Sequence, residues 1–146
     1  DVERSRGLGD VYKRQVENTA LPLMLNGVSQ TDAVRYATQW LESMGLGGME
    51  DRRIGQLSGG QAQRVAIARS QVIDPSIVFA DEPTGALDSA TAVEVMTILL
   101  SATTGRGRTL VVVTHDEDVA RRCQRILHLH DGRIVSDHVR HSDGRW

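Results

Sequence analysis

Cysteine and lysine are almost missing from this 146-residue chain, which has one of each, Cys123 and Lys13. A single thiol excludes an internal disulfide and a zinc site built from several thiols, so a reducing compartment is the simpler expectation. The remaining basic residues are all arginine, which leaves position 13 as the only place for a phosphate-gripping lysine. An excess of charge of one sign is also lacking. Seventeen basic against nineteen acidic residues give a net charge of −2 and no global field for holding nucleic acid. No apolar run approaches the about eighteen residues of a membrane helix, and no segment has the make-up of a signal peptide. A membrane, if one matters, is supplied by a partner.

What is present suffices for one core. Hydrophobic residues make up 40% and charged residues 25%, in a length that suits one domain and excludes a disordered tail or a coiled-coil rod. Residues 1–15 carry no helical or strand period and read as a foreign or disordered head, to be kept out of fold reasoning, with an ordinary flexible terminus as the equal alternative. From Ser29 the spacing of Val34, Ala37, Leu41 and Met44 predicts a helix that Ser29 or Thr31 caps and Gly45 stops. Trp40, on the same spacing, reads as core or subdomain packing. Ser58 with Gln61 three places later is a capping-box signature, opening a helix to about Gln71.

Two short apolar runs, Ile77 to Ala80 and Leu110 to Val113, do not alternate and are expected to be strands buried on both faces. Asp88 or Ser89 caps a helix between them, carrying Val93, Met96 and Leu100. Strand, helix, strand at this spacing predicts a βαβ unit with a parallel sheet. A short helix with Val119 and Ala120 follows His115. Asp131-Gly132 then marks a hairpin between Arg125 to His130 and Arg133 to Val135. His128 and His130 share a strand face that reads as solvent-facing. Arg121, Arg122 and Arg125 read as a solvated helix face.

Three places carry chemistry. Exposed amides at the Ser58-Gly59-Gly60 helix start, with the macrodipole behind them, suit an anion, although a capped helix with a flexible entry is the plain alternative. Asp81-Glu82 stands at the carboxyl end of a parallel strand, where open α/β sheets bind ligands. Adjacent acids there can divide the work of holding Mg2+ and orienting a water, or simply end a strand before Pro83. His115, preceded by Thr114, occupies the equivalent place after the second strand, where a lone histidine is more often structural.

Leu57-Ser58-Gly59-Gly60-Gln61, Ile77 through Glu82, Gly85-Ala86-Leu87-Asp88 and Thr114-His115-Asp116 occur in the order and approximate spacing of the ATP-binding cassette family. From Val16 to about Asp137 the chain resembles the carboxyl-terminal part of such an ATPase. The fold implied is α/β, the later part of a P-loop NTPase with part of its helical subdomain. Residues 16–71 fall in that subdomain and the signature helix, 72–137 in the catalytic core and 138–146 in a tail.

The resemblance implies a role for each matching residue. Leu57, Ser58, Gly59, Gly60 and Gln61 correspond to the signature loop, whose amides meet the γ-phosphate of ATP held by the opposite subunit. Asp81 corresponds to the Walker B aspartate, which holds Mg2+ through water, and Glu82 to the general base. His115 matches the switch histidine, and Asp88 the loop that crosses the dimer interface. Val16-Glu17-Asn18, Leu21-Pro22-Leu23, Ala80 through Asp88 and Asp131 through Ile134 resemble most the lipoprotein-release, macrolide-export and antimicrobial-peptide-export ATPases, with the cell-division member.

The implied partners are a transmembrane permease and a second nucleotide-binding subunit, and the implied place is the cytoplasmic face of the inner membrane. A cell-division relative, signalling across the membrane without moving cargo, is the alternative.

The pattern breaks upstream of Val16. A Walker A loop requires G-x-x-x-x-G-K-S/T, and Lys13 lies between Tyr12 and Arg14. Gln15 stands too close to Glu17 to match the family's glutamine loop. Because each ATP lies between the Walker A of one subunit and the signature of the other, this polypeptide alone is expected neither to bind ATP tightly nor to hydrolyse it.

Overall fold

The computed structural model describes residues 14–140. Helix α1 (Gln15–Leu25) leads into α2 (Gln30–Ser43) and α3 (Gly59–Gln71), then strand β1 (Ile77–Asp81), helix α4 (Ser89–Ala102) and strand β2 (Thr109–Val113). A single turn, α5 (Glu117–Ala120), precedes a hairpin of β3 (Arg125–His130) and β4 (Arg133–Val139). β1 and β2 run parallel, from Ile77 opposite Thr109 to Asp81 opposite Val113, which is the expected βαβ unit.

Local chemistry places the helix ends where the sequence puts them. The Ser29 hydroxyl accepts from the Asp32 N–H, and Gly45 takes a φ of 73° just past the end of α2. Ser58 and Gln61 close both bonds of the capping box at α3. Leu41, Leu46, Val95, Met96 and Leu99 are almost wholly buried and join the helices into one core. Trp40 packs against that core, with the Arg106 guanidinium 4.5 Å above its ring.

α1 was not legible as a helix, since Pro22 lies inside it and removes a helical donor. Burial of Val16, Thr19 and Ala20 on the other helices outweighs that loss. The described structure begins within the head read as residues 1–15. Gln15 opens α1 fully buried, and Arg14 bridges Arg53 and pairs with Asp51 at 2.8 Å. Lys13 and the rest of that head lie outside the described residues. At the other end β4 continues past 137 to Val139, opposite Arg125.

The strands correct one expectation. They are not buried on both faces. Val78 is buried, and Ala80, Leu110 and Val112 pack on the core, but Ile77, Phe79, Val111 and Val113 point outward, Phe79 with 77% exposure. The helices supply apolar surface to one side, and among the described residues no element covers the other.

The arginine cluster resolves differently, while His128 and His130 are exposed as expected. α5 ends at Ala120, so the three arginines share no helix face. Arg121 pairs with Glu117 and Asp118, Arg122 donates to the Val93 carbonyl and the Thr97 hydroxyl, and Arg125 forks onto Asp137. The hairpin turn holds Asp131 at φ 47° and Gly132 at 72°, the left-handed pair that two-residue loops require. A register shift falls between His128 and Leu129, and the His128 ring meets His138 edge-on at 6.0 Å. Cys123 is half-buried, and burial pushes its thiol up, away from thiolate.

Candidate functional site

Parallel pairing of β1 and β2 brings their carboxyl ends level, so that Asp81 lies opposite Val113 and the next residues on each strand meet. The Glu82 N–H donates to the Val113 carbonyl at 2.9 Å, which carries the ladder one step further. Glu82 itself is left-handed, with φ at 43°. That conformation costs a residue with a side chain about 1–2 kcal/mol and recurs where the fold aims a functional group.

Three donors meet the Glu82 carboxylate. Oε1 lies 2.7 Å from His115 Nδ1 and accepts from the His115 N–H at 2.9 Å, while Oε2 accepts from the Thr114 hydroxyl at 3.3 Å. The side-chain bond from His115 is the main influence holding the Glu82 carboxyl below its usual range. The same bond, helped by the Glu82 charge, raises the His115 imidazole above its ordinary value. Each thus favours the charged form of the other, on a face where the His115 side chain remains 85% exposed.

The signature-like segment forms a second assembly. Leu57 packs on the core, and Ser58 caps α3 at the surface. Gly59 and Gly60 follow with no side chain because Leu87 and the start of α4 lie against them. A Cβ on Gly60 would stand 2.5 Å from the Thr91 methyl, and one on Gly59 3.0 Å from Leu87. Asp88 caps α4 through the Thr91 N–H at 3.0 Å and accepts from its hydroxyl at 2.6 Å. The Thr91 hydroxyl is the first cause of the lowered Asp88 carboxyl, its N–H the second.

Thus the structure gathers Asp81, Glu82 and His115 at one strand end, and Ser58, Gly59, Gly60, Gln61 and Asp88 at the meeting of two helix starts. Thr114 and Thr91 complete these groups. Thr114 is signalled only by adjacency to His115, and Thr91 by the three-residue step from Asp88. Gln63, whose Nε2 donates to the Pro83 carbonyl at 2.8 Å and joins the two assemblies, has no sequence signal of its own.

The donor chemistry limits what the strand end can hold. No group of three or more histidine, cysteine or acidic side chains fit to hold a metal occurs among the described residues. Glu82 is already engaged, which leaves Asp81 as an exposed carboxylate. One carboxylate suits Mg2+ when waters and phosphate oxygens complete its shell, and does not suit a closed protein site.

The sequence model of the ABC transporter family matches residues 5–85. The lipoprotein-releasing system ATP-binding protein LolD of Syntrophus aciditrophicus is 39% identical over 141 residues, spanning 91% of this chain and 63% of that protein. The probable syringafactin export ATP-binding/permease protein SyfD of Pseudomonas syringae is 45% identical over 124 residues, 85% of this chain and 19% of SyfD. A dimeric structure of the ATP-binding cassette MJ0796, in a post-hydrolysis state bound to ADP and Pi, superposes with a TM-score of 0.75 at 38% identity. It covers 88% of this chain and 57% of that one. The chain therefore spans less than two thirds of the length of these relatives.

Proposed function

The chain belongs to the ABC transporter family, and on that premise we propose that it is part of the ATP-hydrolysing subunit of an exporter or extraction system. The observation that carries this reading is the Glu82 carboxylate, fixed by His115 and Thr114 beside Asp81 at the strand end. Phosphoryl transfer to water asks the protein for position and electrostatics more than for covalent chemistry. Bound MgATP supplies the reactive phosphoryl group and the cation that neutralises its charge.

Asp81 would hold the hydrated cation. Glu82, ionised because its carboxyl is held low, accepts a proton from the attacking water and orients it. His115, exposed and bonded through Nδ1 to Glu82, which favours its protonated form, presents its free ring edge to the γ-phosphate. The amides of Gly59 and Gly60 at the start of α3 approach the γ-phosphate of a nucleotide held by a second subunit, while the Ser58 N–H is held by the Gln61 side chain. Gly60 permits this by keeping α3 tight against α4. Asp88 presents the α4 start to the same interface.

The partner in this reading is a membrane-spanning permease, with this chain bound to it on the cytoplasmic face of the inner membrane. The relative named as an ATP-binding/permease protein supports it. No helix among the described residues is long and apolar enough to cross a membrane. The 146 residues hold no G-x-x-x-x-G-K-S/T segment, so two copies of this chain present two signature loops and no phosphate loop. Alone it is inactive.

The test joins the phosphate-loop part of LolD from Syntrophus aciditrophicus in frame ahead of residue 16. The expected result is no hydrolysis by the 146-residue chain, hydrolysis by the completed cassette, and loss of about a hundredfold or more in Glu82→Gln. Turnover by the unextended chain above its own Glu82→Gln control overturns the inactivity. A completed cassette whose Glu82→Gln variant keeps full activity overturns the role of Glu82.

A further inference from the structure

Glu82 sits in a conformation that persists only where its surroundings over-determine it. Most of what holds it comes from the α/β core. Its N–H is bonded to Val113, its carboxylate to His115 and Thr114, and its carbonyl accepts from the Gly85 N–H at 3.2 Å. Pro83 follows directly, buried and with no N–H to offer. The Pro83 carbonyl accepts from the Gln63 side-chain amide of α3 at 2.8 Å.

Gln63 therefore reaches from the helix whose start presents the signature amides to the peptide next to the candidate base. The start of the same helix is closely packed on the segment that follows Pro83. Gly60 lies so close to Thr91 that a methyl group would overlap, and Gly59 is nearly as close to Leu87. A half-buried amide that finds one good acceptor in so tight a setting fixes the spacing of the two segments it joins.

Resting on the functional reading above, we propose that Gln63 is a positioning residue for ATP hydrolysis. Its bond to the Pro83 carbonyl fixes the Glu82 turn to the signature helix and so aims the Glu82 carboxylate. Loss of the donor leaves α3 folded and nucleotide binding intact, but lets the turn drift. A small drift of a reacting group is costly in rate and cheap in stability.

The completed cassette described above tests this with Gln63→Met, which keeps length without a donor, and Gln63→Glu, which sets an acceptor against the carbonyl. Both are expected to lower kcat about tenfold or more with KM for MgATP within about twofold. A kcat within about twofold of the parent, or a loss carried by KM, overturns the proposal. Should the parent cassette fail to hydrolyse ATP, or its Glu82→Gln variant remain active, the fault lies with the site reading.

A second measurement on the 146-residue chain does not depend on turnover. In Gln63→Met, amide exchange at Glu82 and Gly85 is expected to quicken about tenfold while Ile67 and Ala68 in α3 keep their protection. Unchanged exchange at Glu82 and Gly85 overturns the proposal. So does an equal loss of protection throughout α3, which marks a residue that merely holds the helix.

Discussion

His115 Nδ1 stands 2.7 Å from Glu82 Oε1, across 33 residues of sequence, and the backbone N–H of His115 binds the same oxygen. A histidine and an acid at the ends of neighbouring parallel strands thereby become one electrostatic unit. The unit is exposed on the histidine side and anchored by a strained backbone on the other.

The pair sets the direction of a pH effect. The His115 pKa is raised above 6.5, so its contribution to stability is full below about that value and fades as pH rises through the folded-state midpoint. The Glu82 pKa is lowered from 4.5, so its contribution is present above that value and fades as pH falls through its own folded-state midpoint. The pair thus stabilises most between these two ordinary values. Imidazole chemical shifts followed against pH are expected to give a His115 midpoint above 6.5 that drops towards 6.5 in Glu82→Gln. A midpoint that does not move means that Glu82 is not its partner.

Gly60→Ala is expected to destabilise the chain by about 1–3 kcal/mol, because the new methyl overlaps Thr91. Urea unfolding of the single variant and of the double variant with Thr91→Ala separates causes. Recovery of at least half the loss in the double variant identifies the overlap, whereas additive losses point elsewhere.

Ser58→Ala removes the acceptor for the Gln61 N–H, and with it one half of the capping box, at a cost of about 1 kcal/mol. Gln61→Ala removes the other half, the side-chain bond to the Ser58 N–H. Because the two bonds share one helix start, the double variant is expected to lose less than the sum of the single ones. Thermal or urea denaturation shows this directly.

The outward face of β1 and β2 predicts association. Phe79 and Val113 lie open in one apolar patch, and such patches favour contact with each other. Sedimentation of the 146-residue chain is expected to show self-association that Phe79→Ser reduces without lowering the unfolding midpoint. If the substitution lowers the midpoint and leaves the association unchanged, Phe79 is packed and the patch lies elsewhere.

Much of this was local and therefore readable. The caps at Ser29, Ser58 and Asp88, the Gly45 stop, both parallel strands and the Asp131-Gly132 turn depend on residues within a few places of one another, where backbone sterics and short hydrogen bonds decide. The order of Ser58-Gly59-Gly60, Asp81-Glu82 and His115 marked the family, as the ABC transporter match bears out. α1 escaped because its stability comes from burial against other helices, which no local signal at Pro22 reveals. The second strand face was misread because an apolar run records what a residue tolerates and not what covers it.

The sequence by itself determined the elements from α2 onward, the helix caps and the family, since these follow from short-range propensity and motif order. Only the tertiary structure decided that Glu82 turns left-handed onto His115, that Gly60 must admit Thr91 and that Gln63 ties α3 to Pro83. Each of those joins residues from different elements, and such contacts are fixed by how helices and strands pack, which the order of residues along the chain does not spell out.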